Sequence, residues 1–404
     1  MSPSIRSVLF TFISAVLAIP VCLVGQEASS RARQIHDRAI VIDTHVDTAQ
    51  RLFFDTRFNI GARNKDGNLD IPRMREGGLD AVFFSIWVPP EITGPPAVKR
   101  ALDLIDRVRE AIRTHPNDLV LATTAAEIRR AAAEHKIAAL MGAEGGHMID
   151  DDLGVLRMYA ALGVRYLTLT HFLNNNWADA STDKPAHNGL TPFGKDVVRE
   201  LNRLGMMVDI SHVSDKTFYD ALAVSKAPVI ASHSSVRAIA NHVRNMTDDM
   251  MRALAKNGGV IMINYAAPFL SEGFRVASEK QSGNIVEAMA AMAKKCGGNE
   301  ACATMEGERI NHEAMVKGEL PKVTWEKIVE HIDHAVKVAG IDHVGLGSDF
   351  DGATMPLGME DASKLPEITD ALLKKGYTEQ NIEKILGGNI LRVMEQVEKL
   401  KSSN

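Results

Sequence analysis

The chain has 404 residues, 45% hydrophobic and 24% charged, with a formal net charge of -5. That apolar fraction excludes wholesale disorder and collagen-like or coiled-coil architecture, and the missing basic excess excludes the electrostatic footprint of a nucleic-acid binder. Three Cys exclude a disulfide-rich scaffold, whereas 14 His are an excess whose placement matters.

In chain order, residues Val8 to Val24 form an apolar run, preceded by Arg6 and followed by Gly25-Gln26-Glu27-Ala28-Ser29-Ser30. The pattern reads as a secretory signal peptide over 1–25, cut after Gly25, and implies an exported, periplasmic or secreted protein. An uncleaved membrane anchor is the competing reading, and lipidation at Cys22 a lesser one. Residues 26–404 are expected to form one domain. Eight short, near-continuously apolar runs follow, at 39–43, 81–86, 137–142, 165–170, 206–210, 228–231, 260–264 and 343–347. Such runs suit parallel strands covered on both faces. Amphipathic stretches lie between them, including Pro96–Thr114, Leu153–Leu162, Gly194–Leu204 and Asp215–Ser225. Strands alternating with helices give βαβ units, and eight of them predict an α/β fold, a (β/α)8 TIM barrel. Residues 272–321, rich in Met and Ala, read as a helical insertion between the seventh and eighth strands. Met289, Met292, Met305 and Met315 there are expected to pack a helical core rather than bind copper. Cys296 and Cys302 flank Gly297-Gly298-Asn299 and are expected to close a local disulfide in an oxidising compartment; two free thiols are the alternative.

Barrel active sites form at the C-terminal ends of the strands. There the sequence sets His45 and Asp47, Glu144, His171, His212, His233 and Asp349. Imidazole with carboxylate is the ligand set of zinc and its neighbours. One catalytic zinc needs three protein ligands; His45, Asp47, Glu144, His212 and His233 exceed that, so two metals with Glu144 as bridge are expected. His45 and Asp47 alternate, which on a strand puts both on one face. Outside this set, His331 and His334 sit on a helix before the last strand and are expected to be structural or solvent-facing. His147 and His242 lie beside site motifs and read as support for the ligands. His36, His115, His135, His187, His312 and His343 show no partner pattern. Asp351 reads as a turn residue supporting Asp349, and Asp209 as a residue that orients a ligand or caps a strand.

From about Ile35 to Val397 the chain resembles the membrane (renal) dipeptidase family of zinc dipeptidases, with an amidohydrolase-like barrel. The motifs that carry the resemblance are Asp43-Thr44-His45-Val46-Asp47, Glu144-Gly145-Gly146-His147, Tyr166-Leu167-Thr168-Leu169-Thr170-His171 and Asp209-Ile210-Ser211-His212. Ser232-His233-Ser234-Ser235, Arg244-Asn245 and Asp349-Phe350-Asp351-Gly352 complete them. The resemblance implies two Zn2+ per chain, one on His45, Asp47 and Glu144, the other on Glu144, His212 and His233. It implies dipeptide hydrolysis by a metal-bridging hydroxide, with Arg244 holding the substrate carboxylate and Asp349 moving the proton. His171 would contact substrate or the tetrahedral intermediate, and Tyr265 would stand near the substrate pocket. It also implies a homodimer. Thr44-His45-Val46 departs from the Gly-His-Asn common in relatives, and the insertion leaves substrate range open. On its own type, Arg244 offers a fork matched to a carboxylate, though a surface charge is the alternative. An amidohydrolase of N-acyl amino acids or lactams on the same scaffold is the competing activity. A non-catalytic barrel would have lost ligands, and none is lost here. A purely structural metal site would not need so many.

Overall fold

The computed structural model describes residues 28–282 and 285–402. The signal-peptide reading, with Cys22 and the cut after Gly25, lies outside the described residues. Among the described residues, nine strands form one parallel sheet: β1 (Ile42–Val46), β2 (Ala81–Trp87), β3 (Leu119–Leu121), β4 (Ile137–Glu144), β5 (Val164–Thr168), β6 (Met207–Asp209), β7 (Ile230–Ser234), β8 (Val260–Ile263) and β9 (Val344–Leu346). Eight follow one another round the sheet in chain order, with β3 off the path. Past β9 the chain returns to β1. Asp349 N donates to His45 O at 3.0 Å and Asp47 N to Phe350 O at 2.8 Å. Thr44 Oγ1 also donates to Leu346 O, at 3.2 Å. The result is the expected (β/α)8 barrel, nearly closed.

The ninth strand was not expected. β2 takes one edge of β4 along its length, and β5 takes the other edge only from Met141 onward. β3 fills the remaining stretch, pairing Leu119–Leu121 with Ile137–Ala139. A three-residue Leu-Val-Leu run is too short to carry a period.

Inside the barrel Ala81 and Phe83, Ala138 and Leu140, and Val260 and Met262 form one buried cluster with Ile42, Tyr166, Met207 and Ile230. The alternate residues Val82, Phe84, Ala139, Met141, Ile261 and Ile263 face the helices in a second cluster. Both faces are therefore apolar, which is why the runs read as continuous. Each of the Val, Ile, Leu, Met and Phe side chains among them contributes about 1.5–3 kcal/mol on burial. The C-terminal helix Asn389–Glu398 adds Ile390, Leu391 and Met394 to the inner cluster. Its Asn389 Nδ2 donates to Val344 O at 2.9 Å, at the start of β9, so this helix plugs the end opposite the strand C-termini.

Continuing each inward series by twos toward the strand C-termini reaches Ser85, Glu144, Thr168, Asp209, Ser232 and Asn264, all fully or nearly fully buried. The alternation that packs the core thus ends in a polar layer. Helices between strands start and stop on local signals. Helix Pro192–Leu204 has Thr191 as N-cap, its side chain accepting from Gly194 N, Pro at the first helical position, and left-handed Gly205 after it.

The insertion is helical, as expected: Glu272–Ser282, Ile285–Lys295 and Glu300–Lys317 lie between β8 and β9. Cys296 and Cys302 are disulfide-bonded, with Cα atoms 5.9 Å apart, closing the turn between the second and third of these helices. Met315 is fully buried. Met292 and Met305 are only half-buried, because the helices they lie on keep one face open to solvent. The Met289 side chain lies outside the described residues. Among the described residues, no helix is long and apolar enough to cross a membrane.

Candidate metal centre and active site

The five expected ligands converge. Glu144 ends β4 and points inward, and its two oxygens face different partners. Oε2 lies 3.4 Å from His45 Nε2. Oε1 lies 2.9 Å from His212 Nε2 and 3.2 Å from His233 Nε2. Asp47 Oδ1 stands 3.6 Å from His45 Nε2. Asp47 has left the strand, however, and sits at the start of helix Thr48–Phe54. Face-sharing along β1 is therefore not what joins it to His45; the turn into that helix does. The backbone of Gly352 passes so close that a Cβ there would fall 1.8 Å from Asp47 Oδ2. His171 Nε2 is 3.9 Å from Glu144 Oε1, and Asp349 Oδ1 is 3.9 Å from His45 Nε2. Proximity thus gathers seven side chains, in overlapping groups whose ligand atoms lie within 4.8 Å of one another.

The donor set fits a metal. His45 Nε2 and Asp47 Oδ1 are buried without hydrogen-bond partners, and such atoms are costly unless something binds them. Two imidazole Nε2 atoms, of His212 and His233, stand 3.0 Å apart. Burial lowers the pKa values of His212 and His233 and brings His171 to about 4, so their lone pairs are free. Burial raises the Glu144 carboxyl, but His45, His171, His212 and His233 outweigh it and hold it well below the usual range. His45 differs: burial lowers it, while Tyr166, Glu144 and Asp47 together raise it well above normal. A proton and a metal ion therefore compete for its Nε2.

Neighbours aim the rings. Tyr166 Oη donates to Thr44 O at 3.1 Å, so it accepts from His45 Nδ1 at 2.9 Å. That leaves the His45 Nε2 lone pair facing the cluster. Gly142 makes room, since a Cβ there would fall 1.8 Å from the Tyr166 ring. Ser232 Oγ donates to Asp209 Oδ2 at 2.6 Å and accepts from His233 Nδ1 at 2.8 Å, aiming His233 in the same way. Asp209 does orient a histidine of the cluster, through Ser232. Ser85 Oγ donates to Glu144 Oε2 at 2.9 Å. His212 and Asp349 hold left-handed backbone at φ 68° and 69°, conformations that cost about 1–3 kcal/mol each and cluster at functional sites.

A pocket opens above the cluster, lined by Asp47, Trp87, His171, Arg244, Phe269 and Thr304 among others. Thr304 comes from helix Glu300–Lys317, so the insertion forms part of the wall. That helix is docked. Asn68 Nδ2 donates to Glu308 at 2.9 Å, and Asn68 N donates to Asp351 Oδ1 at 2.7 Å. Asp351 is more than a turn residue: it is buried and also accepts from Thr48 Oγ1 at 2.6 Å. Arg244 is 4% exposed, which removes the surface-charge alternative. Its Nη2 donates to His233 O at 3.2 Å, while Nε and Nη1 are without partners. Tyr265 does not line this pocket. It is fully buried and edge-on to Phe350 at 5.8 Å, because its backbone N is tied to Ser348 O at 3.2 Å, inside the barrel wall. Trp87, Phe172 and Phe269 supply the aromatic lining instead.

Residues 29–404 match the family model described as membrane dipeptidase, peptidase family M19. The chain belongs to that family. Dipeptidase tcpJ of Claviceps purpurea is 35% identical over 359 residues, 86% of this chain and 73% of the relative. The probable dipeptidase PvdM from Pseudomonas aeruginosa has a similar structure, with a TM-score of 0.77 and 30% identity over 92% of this chain and 98% of that one. A metallo peptidase from Rhodobacter sphaeroides, liganded with a phosphinate mimic of the dipeptide L-Ala-D-Ala, gives 0.73 and 28% over 89% and 99%. The protein is a metallo-dipeptidase, and its activity is metal-dependent hydrolysis of dipeptides.

Three histidines outside the cluster hold local structure instead. His331 is fully buried, accepts from Val236 N at 3.0 Å and faces Leu270 O at 3.2 Å. His334 bonds Asp248 at 2.8 Å. His242 Nδ1 accepts from Arg244 N at 3.1 Å, and so supports the arginine. No ligand grouping among the described residues includes His36, His115, His135, His187, His312 or His343. The reading from sequence gave no role to Tyr166, Ser85 or Asn264. For Ser85 and Asn264 the signal available was the two-residue inward spacing from Ala81 and Val260.

Proposed function

We propose that this dipeptidase holds two zinc ions, one on His45, Asp47 and Glu144 and the other on Glu144, His212 and His233. The opposed orientation of the two Glu144 oxygens supports the bridge. Bound there, the ions supply an activated water and a polarised carbonyl. Arg244 binds the carboxylate of the substrate. The observation that carries this assignment is a buried guanidinium with Nε and Nη1 unpaired beside the pocket. Burial pushes its pKa down to about 10, so it stays charged at neutral pH. A desolvated cation of this kind is costly until an anion arrives. A dipeptide supplies one, in keeping with the dipeptide mimic on the Rhodobacter sphaeroides relative.

Asp349 takes a proton from the attacking water and returns it to the leaving amine as the C–N bond breaks. Its Oδ1 faces the cluster and its Oδ2 is held by Asn264 Nδ2 at 2.9 Å. His171, kept neutral by burial and with Nδ1 unpartnered, orients the substrate oxygen. The chain works as a homodimer. It is exported through its N-terminal segment, to a compartment that preserves the Cys296–Cys302 bond.

The test is a paired comparison. Arg244→Ala is expected to weaken binding of a free dipeptide by about 2–5 kcal/mol, mostly in KM. Amidating the substrate C-terminus costs the parent enzyme a similar amount and costs the variant little more. A full additional loss in the variant shows that Arg244 does something else.

A further inference from the structure

We infer that Asn264 is the positioning residue of Asp349, fixing which carboxylate oxygen carries the proton; this rests on the proton-carrier reading above. Asn264 follows β8 and is fully buried. It belongs to the inward series Val260, Met262, Asn264, which brings its side chain to the polar layer at the barrel mouth. Its amide orientation is not ambiguous. Ala266 N–H lies 2.6 Å from one arm and can only donate, so that arm is Oδ1. The other arm is therefore Nδ2, and it donates to Asp349 Oδ2 at 2.9 Å. The Asn264 backbone is pinned as well, with N donating to Ser234 O at 3.1 Å and O accepting from Ser235 Oγ at 3.0 Å.

Asp349 needs such a partner. Its main chain is fixed at left-handed φ and tied to His45 O, but two side-chain torsions remain free. Its ligand-type oxygen lies within 4.8 Å of those of His45 and Asp47. An untethered carboxylate there has other rotamers open to it, in which Oδ1 no longer holds this position. Donation from Asn264 selects one rotamer, occupies Oδ2 and leaves Oδ1 toward the pocket. Holding a reacting group in one geometry is itself a large part of catalysis.

The experiment is a double-mutant cycle on the full zinc-loaded chain with one good dipeptide substrate. Asn264→Asp keeps the shape and the cap on Ala266 N but replaces the donor with an acceptor. Asn264→Ser is the second variant; its hydroxyl accepts from Ala266 N and stops short of Asp349. In either, kcat is expected to fall about 10–100-fold, the worth of a hydrogen bond to a charged group, with bound zinc unchanged. KM stays within about twofold, and in an Asp349→Asn background the same changes cost less than about twofold further. Equal losses in both backgrounds make Asn264 a merely structural residue and overturn the inference. Unchanged kcat, or loss of zinc, in Asn264→Ser overturns it too. If Asp349→Asn alone keeps most of its kcat, the proton-carrier reading fails, and this inference with it.

Discussion

A histidine serves as a metal ligand only when the right nitrogen carries the lone pair, and for the histidines of the proposed centre that choice is made by residues one step behind. Tyr166 settles it for His45 because its own proton goes to Thr44 O, leaving its oxygen to accept from Nδ1. Ser232 settles it for His233 because its proton goes to Asp209. Partners of this kind are typically worth about 10–100-fold in metal affinity. Tyr166→Phe keeps the ring that fills the space over Gly142 and removes only the hydroxyl. We expect zinc affinity to fall by about that factor with little change in thermal stability, measured by competition with a chelator. Unchanged affinity means that the Tyr166 hydroxyl does not set the His45 tautomer. These supports were not legible in the sequence. A Tyr or Ser on a strand looks like any other strand residue until the sheet closes and shows what it faces.

Elements far from the site carry their own buried polar contacts. Helix Ser30–Arg38 lies against helices Ile71–Glu76 and Leu365–Lys374 through His36, which is fully buried. His36 Nδ1 meets Thr369 Oγ1 at 2.7 Å and Nε2 meets Gly77 O at 2.8 Å. Burial lowers its pKa from 6.5 to about 4. The unfolded chain then binds the proton more readily than the folded one, so stability falls as pH drops through 6.5, and the loss is complete near pH 4. The full loss is on the order of 3 kcal/mol. His36→Gln is expected to flatten the pH dependence of the urea midpoint between those values relative to the parent; parallel curves contradict it. Sequence reading found the strands and the insertion because both rest on runs of one composition. It missed β3, which only completes an edge of β4. It left open whether the insertion bears on the site, because the Asn68–Glu308 contact joins residues far apart in the chain.

At the scale of the molecule, one rule links core to site: residues alternate in and out along each strand, and the inward rows change from apolar to polar at the C-terminal ends. Glu144 belongs to the row that begins Ala138 and Leu140, and Asn264 to the row of Val260 and Met262. The candidate ligands stood out because His and carboxylates just past apolar runs have few other uses in a barrel. Arg244 and Tyr265 were singled out only by resemblance, and Tyr265 turned out to face the core, since nothing local tells which way a ring past a strand end turns. The proposed chemistry depends first on two metals sharing Glu144. The direct measurement is zinc content against dipeptidase activity as metal-free protein is titrated, for the parent and for Glu144→Gln. Two zinc ions per chain are expected in the parent, with full activity only at the second equivalent, and weakened binding at both sites in the variant. A parent that saturates with one zinc at full activity, or a variant that loses one site and keeps the other intact, contradicts it.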